Sequence, residues 1–214
     1  MIGRVVVAGV VGLCMLCTTA RQVRGAEATT RPSSISGKIV VDGEVPLSEM
    51  VVYLEAPDPS QAVVAPVEKA AVKVLQKGAK FSPALAIVTV GQSVEFVNDE
   101  DRLIEHNVFS NAPAKKFDLG MYPPGQSRSV MFDKPGPVLL YCSIHRYMDG
   151  VIFVSPTPYS SLVSPDATYR IEGVPAGKWV VKTWQRRRRF KEATVPITAE
   201  SGGTLSVNLE LHKR

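Results

Sequence analysis

The chain has 214 residues, 45% of them apolar and 7% aromatic, with 25 Lys and Arg against 20 Asp and Glu for a net charge of +5. That is enough chain for one large or two small cores. Removing residues 1–25 takes away Arg4, Arg21 and Arg24 and no acid, which leaves +2, so the bulk of the protein lacks the basic surplus that a nucleic-acid partner needs.

In chain order, residues 1–25 read as a secretory signal. Arg4 supplies the positive start, Val5 to Cys17 the apolar stretch, and Thr18, Thr19 and Ala20 the small residues before cleavage, with Ala20, Gly25 and Ala26 as candidate cleavage points. The apolar run is shorter than the roughly 20 residues that span a bilayer. The expectation is an exported protein, periplasmic or extracellular and soluble after cleavage, for which membrane contact is not required. Once the signal is gone, Cys142 is the only cysteine, so no disulfide can form within the chain.

From residue 35 onward no helical periodicity is sustained, and the pattern is one of strands and turns. Strands are expected at Ile35 to Val41, Met50 to Leu54, Leu85 to Val90, Ser93 to Val97, Ser127 to Phe132, Pro137 to Cys142, Val151 to Val154, Lys178 to Thr183, Ala193 to Ile197 and Leu205 to Leu211. Turns are marked by Asp42-Gly43, Pro123-Pro124-Gly125, Pro135-Gly136, Asp149-Gly150 and Ser201-Gly202-Gly203. Short strands at this spacing indicate an all-β protein built from sandwiches. Residues 57–78 read as a linker, with a short helix over Glu68 to Leu75 as its one candidate element.

The chemistry concentrates in Tyr141-Cys142-Ser143-Ile144-His145-Arg146-Tyr147-Met148 and, upstream, in Glu105-His106-Asn107-Val108-Phe109. One thiolate, two imidazoles and one thioether are the donor set of a mononuclear blue-copper centre. Taken singly, each residue has a plainer role: His106 as an ordinary polar side chain, Cys142 as inert packing, Met148 as core filler with Met121 or Met131 able to replace it. Together, at this spacing, they point to a metal. Strand parity agrees, because Val138, Leu140 and Cys142 share one face of their strand and put the sulfur at the end of a buried row. Only His106, His145 and His212 are available, too few for the second histidine-rich centre of a multicopper oxidase or copper nitrite reductase. A structural zinc site would not recruit a thioether, and a Cys-His nucleophile pair three residues apart on a tight loop is poorly placed.

Phe81-x-Pro83, Gly91-x-x-Val94-x-Phe96-x-Asn98, His106-Asn107-Val108, Phe132-x-x-Pro135-Gly136 and Tyr141-Cys142-x-x-His145-x-x-Met148-x-Gly150 resemble the cupredoxin family, with a loop spacing most like amicyanin. The resemblance implies a Greek-key β-sandwich over residues 79–155 holding one type 1 copper ion by His106, Cys142, His145 and Met148. It also implies that Asn107 ties its strand to Ser143, and that His145, flanked by Ile144 and Tyr147, is the point of electron exit and docking. Arg146 departs from an all-apolar rim, and Tyr141 offers a second route.

The flanking segments, Ser36-Gly37-Lys38-Ile39-Val40 with Met50 to Leu54 and Tyr169 to Val181 with its Gly173-Val174-Pro175-Ala176-Gly177 turn, resemble a carboxypeptidase regulatory-like, transthyretin-like sandwich. Residues 33–56 and 156–214 would then be the two parts of one domain into which the cupredoxin is inserted, a single extended cupredoxin being the alternative. Arg186 to Arg189, between Trp184 and Phe190, reads either as a docking cluster for an acidic redox partner, anionic lipid or envelope polymer, or as a solvated hairpin connection. The expected function is a non-enzymatic electron carrier between redox partner proteins. The alternatives are a copper carrier or storage protein and an envelope interaction protein.

Overall fold

The computed structural model describes residues 31–41, 47, 49–58 and 70–214. The expected signal over residues 1–25 and half of the expected linker, residues 59–69, lie outside the described residues.

The first strands are β1 (Ser33–Val41), β2 (Met50–Glu55), β3 (Val72–Gln76), β4 (Phe81–Ser82), β5 (Leu85–Thr89) and β6 (Ser93–Asn98). They are followed by β7 (Phe109–Ala112), β8 (Lys115–Asp118), β9 (Ser127–Met131), β10 (Gly136–Tyr141) and β11 (Asp149–Ser155). The last group is β12 (Ser160–Leu162), β13 (Thr168–Val174), β14 (Gly177–Gln185), β15 (Thr194–Ala199), β16 (Thr204–Ser206) and β17 (Leu209–Leu211). The protein is all-β, and no helix among the described residues is long and apolar enough to cross a membrane.

Strand pairing sorts these elements into two sets. β3 to β11 make two sheets, in the orders β4-β3-β6-β9 and β5-β11-β10-β7-β8. Facing side chains from both sheets, among them Val74, Phe96, Phe132, Val138, Leu140 and Ile152, form one core. β1, β2 and β12 to β17 make the other two sheets, β13-β1-β16 with β17 also on β1, and β12-β2-β14-β15, around a second core that includes Ile35, Leu54, Ile171, Val181 and Leu209. The strands on either side of the central set therefore pair with each other and not with it.

Alternation explains the local structure. In β6, Val94, Phe96 and Asn98 point inward while Ser93, Glu95 and Val97 are half-buried. In β10, Val138 and Leu140 are buried and Leu139 and Tyr141 exposed, and Cys142 continues the buried row at 5% exposure. β11 is buried along both faces, which is the mark of a strand covered on two sides.

The chain departs from expectation at β3. No helix forms over the described part of Glu68 to Leu75, and a strand occupies Val72–Gln76 inside the expected linker. The reason is long-range pairing: β3 lies parallel to β6 from Val72 opposite Val94 to Gln76 opposite Asn98, burying Val74 and Gln76 in the first core. A five-residue segment takes its conformation from such a partner more than from its own propensity.

Candidate metal centre

His106 is delivered by a loop that folds back on β6. The Asn98 side-chain amide donates to the carbonyls of Ile104 (3.0 Å) and Tyr122 (2.9 Å), which draws residues 99–105 over the end of the sandwich. His106 and Tyr122 then exchange backbone hydrogen bonds, His106 N to Tyr122 O at 3.2 Å and Tyr122 N to His106 O at 2.9 Å. Cys142 arrives at the end of β10, and the chain turns so that the Met148 amide donates to the His145 carbonyl at 2.9 Å before β11 begins.

These elements bring three donors together. Cys142 Sγ lies 3.9 Å from His106 Nδ1 and 3.6 Å from His145 Nδ1. All three donor atoms fall within 4.8 Å of one another, the one such cluster of His, Cys, Asp or Glu among the described residues. The imidazole rings sit 4.7 Å apart at 53°. Sulfur and nitrogen ligands about 2.1 to 2.3 Å from a shared first-row ion in a trigonal plane would be separated by about 3.6 to 4.0 Å. The two sulfur–nitrogen separations meet that test, and the donor set fits copper.

Met148 is buried at 1% exposure in the same cluster as Cys142, whereas Met121 and Met131 are 38% and 56% exposed. Burial thus distinguishes the three thioethers considered from sequence. His106 is fully buried, and His145 is half-buried on the loop. The apolar side chains of Ile144 (54%) and Tyr147 (90%) are exposed on the same loop, and Leu103 (99%) is exposed on the loop that leads to His106. Tyr141 is exposed beside Cys142, its ring 5.7 Å from that of Phe109.

Asn107 joins the two ligand-bearing segments. Its Oδ1 accepts from Ser143 N (2.8 Å) and Ser143 Oγ (3.0 Å), and its Nδ2 donates to Asp118 Oδ1 (3.2 Å). Two residues that the sequence reading did not single out complete the surroundings. Glu100 Oε1 lies 2.9 Å from His106 Nε2, accepts from Gly78 N (2.7 Å) and Ala79 N (3.4 Å), and has a side chain only 8% exposed. The His106 hydrogen bond, helped by the Ala79 and Gly78 amides and opposed by desolvation, holds the Glu100 carboxyl below the usual carboxylate range. Gln76, on the unexpected strand β3, reaches the Asn107 carbonyl and accepts from the Tyr122 hydroxyl, so a chain of buried polar groups runs beneath His106. Bonds of this kind fix a ligand's orientation and its tautomer.

The Arg186 to Arg189 run is divided. Arg186 is 14% exposed and bonds the carboxylates of Glu49 and Asp149, so it is neither a free docking charge nor a solvated connection. Arg187, Arg188 and Arg189 are exposed. His212, Lys213 and Arg214 are brought beside them through an isolated bridge between Phe190 and Lys213 and a hydrogen bond from Arg214 N to Arg189 O at 3.1 Å.

No protein-family model matches the chain, and no curated protein matches it. Solved structures do. A purple cupredoxin from Nitrosopumilus maritimus is 24% identical, over 39% of this chain and 99% of that one, with a TM-score of 0.36. A reduced amicyanin variant is 24% identical, over 48% of this chain and 99% of that one, with a TM-score of 0.36. A copper-containing nitrite reductase from Thermus scotoductus is 25% identical, over 54% of this chain and 28% of that one, with a TM-score of 0.37.

Proposed function

We propose that the chain is an exported type 1 copper protein of cupredoxin type that passes single electrons between redox partner proteins and has no substrate of its own. The observation that carries this reading is the convergence of Cys142 Sγ with His106 Nδ1 and His145 Nδ1 at the end of a buried strand row. Those three residues would hold the ion, and the buried Met148 would supply a weaker thioether donor. Copper bound there supplies a one-electron couple whose potential is set by the thiolate, the imidazoles and the thioether.

The rest follows from the chain's own groups. Val108, Tyr122, Leu140 and Met148, all buried in one cluster with Cys142, keep water from the sulfur. Glu100 and the Asn107–Ser143 bonds hold the donors in place before a metal arrives, so little has to move when charge changes. His145 is the half-buried ligand and the one on the exposed loop, which makes its ring the route between the buried centre and a partner. Ile144 and Tyr147, exposed on the same loop, are the apolar rim against which that partner would dock.

We read the flanking strands as one carboxypeptidase regulatory-like sandwich, residues 33–56 and 156–214, divided by the insertion of the copper sandwich. What supports this reading is that β1 and β2 pair with strands from β12 onward.

The docking reading is tested by Tyr147→Glu. Stopped-flow oxidation of the copper-loaded protein by a surrogate haem protein should slow about tenfold with the visible spectrum unchanged, since a charge on the rim opposes desolvation at the encounter surface. Unchanged rates in Tyr147→Glu and in Ile144→Asp would point to a copper-carrier role instead.

A further inference from the structure

We propose that the second sandwich clamps the metal loop, with Arg186 as a positioning residue that holds the Met148 end of the loop through Asp149. The clamp is a property of the metal-free chain, and only its effect on copper release rests on the copper reading above.

The loop is tied at its start and at its finish. At its start, Asn107 Oδ1 takes both the amide and the hydroxyl of Ser143, a tie made within the copper sandwich. At its finish, Asp149 directly follows Met148 and opens β11, and its carboxylate is bonded by Arg186, which follows the last residue of β14 in the other sandwich. The guanidinium also bonds the Glu49 carboxylate, and the Arg186 amide donates to the Glu49 carbonyl at 3.2 Å. A planar guanidinium can satisfy two carboxylates at once, which an ammonium cannot do in the same geometry. Glu49 itself sits at φ 66°, a left-handed conformation costly for a residue with a side chain, and persists there because its neighbours hold it.

The apolar interface reinforces the same point of contact. Val151 and Phe153 on the outer face of β11 join Leu85 of β5 in a cluster with Val51 of β2 and Trp184 of β14. The Phe153 ring lies 5.0 Å from Tyr53 and 5.1 Å from Trp184. The strand that carries the chain away from Met148 is thus packed on one face by its own sandwich and on the other by the second. Asp149 is half exposed, so its pair with Arg186 is partly screened. Its value lies in direction: it fixes where the backbone of Met148 leaves the loop.

The experiment is a double-mutant cycle with Arg186→Gln, Asp149→Asn and the two combined, alongside Arg186→Lys. In the metal-free protein, the Met148 methyl resonance should move in both single variants. In the protein loaded with Cu(II), release to a chelator should speed about three- to tenfold in each single variant, with the double variant no faster than Arg186→Gln alone, because the bond that Asp149→Asn removes is one of the two that Arg186→Gln removes. Arg186→Lys, which keeps the charge and loses the bridge, should fall between wild type and Arg186→Gln. An unmoved Met148 methyl in Arg186→Gln, or single effects that add in the double variant, would overturn the clamp. If wild type takes up no copper, the proposed function fails while the methyl resonance still decides the clamp. Should Arg186→Gln not fold, Asp149→Asn makes the same test from the metal side.

Discussion

Glu100 offers a quantitative test of how the protein prepares its donors. His106 is fully buried, and its Nε2 meets Glu100 Oε1 at 2.9 Å, with the carboxylate itself 8% exposed. Glu100→Ala would leave a buried imidazole N–H without its acceptor. A hydrogen bond to a charged group contributes about 1.5–3 kcal/mol. Independently, loss of a carboxylate behind a metal-bound histidine costs about 10–100-fold in metal affinity, which is about 1.4–2.8 kcal/mol. The two estimates agree, so copper affinity should fall about 10–100-fold in Glu100→Ala. Glu100→Gln keeps an acceptor and loses the charge, and its loss should be no more than about tenfold. In both variants the potential should rise, because a less electron-rich imidazole favours the reduced ion. Chelator competition gives the affinities and voltammetry the potentials. A Glu100→Ala protein within about twofold of wild type would refute the argument, as would a potential that falls.

Three further outcomes follow from the same geometry. Met148→Leu should keep an intense visible band with a raised potential, read by absorption and voltammetry, because only the weak axial donor is lost. Asn107→Ala removes the acceptor of both Ser143 groups at a site only 3% exposed, and should lower unfolding stability by about 1–3 kcal/mol in urea titration of the metal-free protein. Gly150→Ala would place a Cβ 3.2 Å from Phe81 Cβ and Cδ2 and 3.4 Å from the Ala84 carbonyl, crowding the strand just after the metal loop. It should cost about 1–3 kcal/mol, seen as a lowered Tm.

The loop donors were legible because their chemistry is local, whereas His106 was picked out by its pairing with Asn107 upstream. Cys142, His145 and Met148 lie within seven consecutive residues, and the row Val138, Leu140, Cys142 declares its buried face by alternation. Of what surrounds the donors, the Asn107–Ser143 tie was legible through the family resemblance, and the rest was not. Glu100 belongs to an acidic run, Asp99-Glu100-Asp101, whose neighbours are exposed, and nothing in the pattern says which carboxylate turns inward. Asp118 and Gln76 reach Asn107 only through tertiary contact. β7 (Phe109–Ala112) and β8 (Lys115–Asp118) contain no β-branched residue, and their conformation comes from pairing with each other and, for β7, with β10 at Tyr141. The run Gly150 to Val154 carries a signal of a different kind, since an unbroken apolar strand announces two packed faces without naming the second partner. That partner is Trp184, with Val51 and Tyr53, far away in sequence. Arg186 was read by its neighbours in a charge run, whereas its ties to Glu49 and Asp149 depend on how the two sandwiches meet.

The proposed function depends on whether Cys142, His106 and His145 form one copper centre with thiolate character. Visible absorption and electron paramagnetic resonance of the purified protein titrated with Cu(II) test it most directly. One equivalent should bind, with an intense sulfur-to-copper band and narrow hyperfine splitting, and both features should be lost in Cys142→Ser while the sandwich stays folded. A colourless protein, or one that takes zinc in preference to copper, would contradict it.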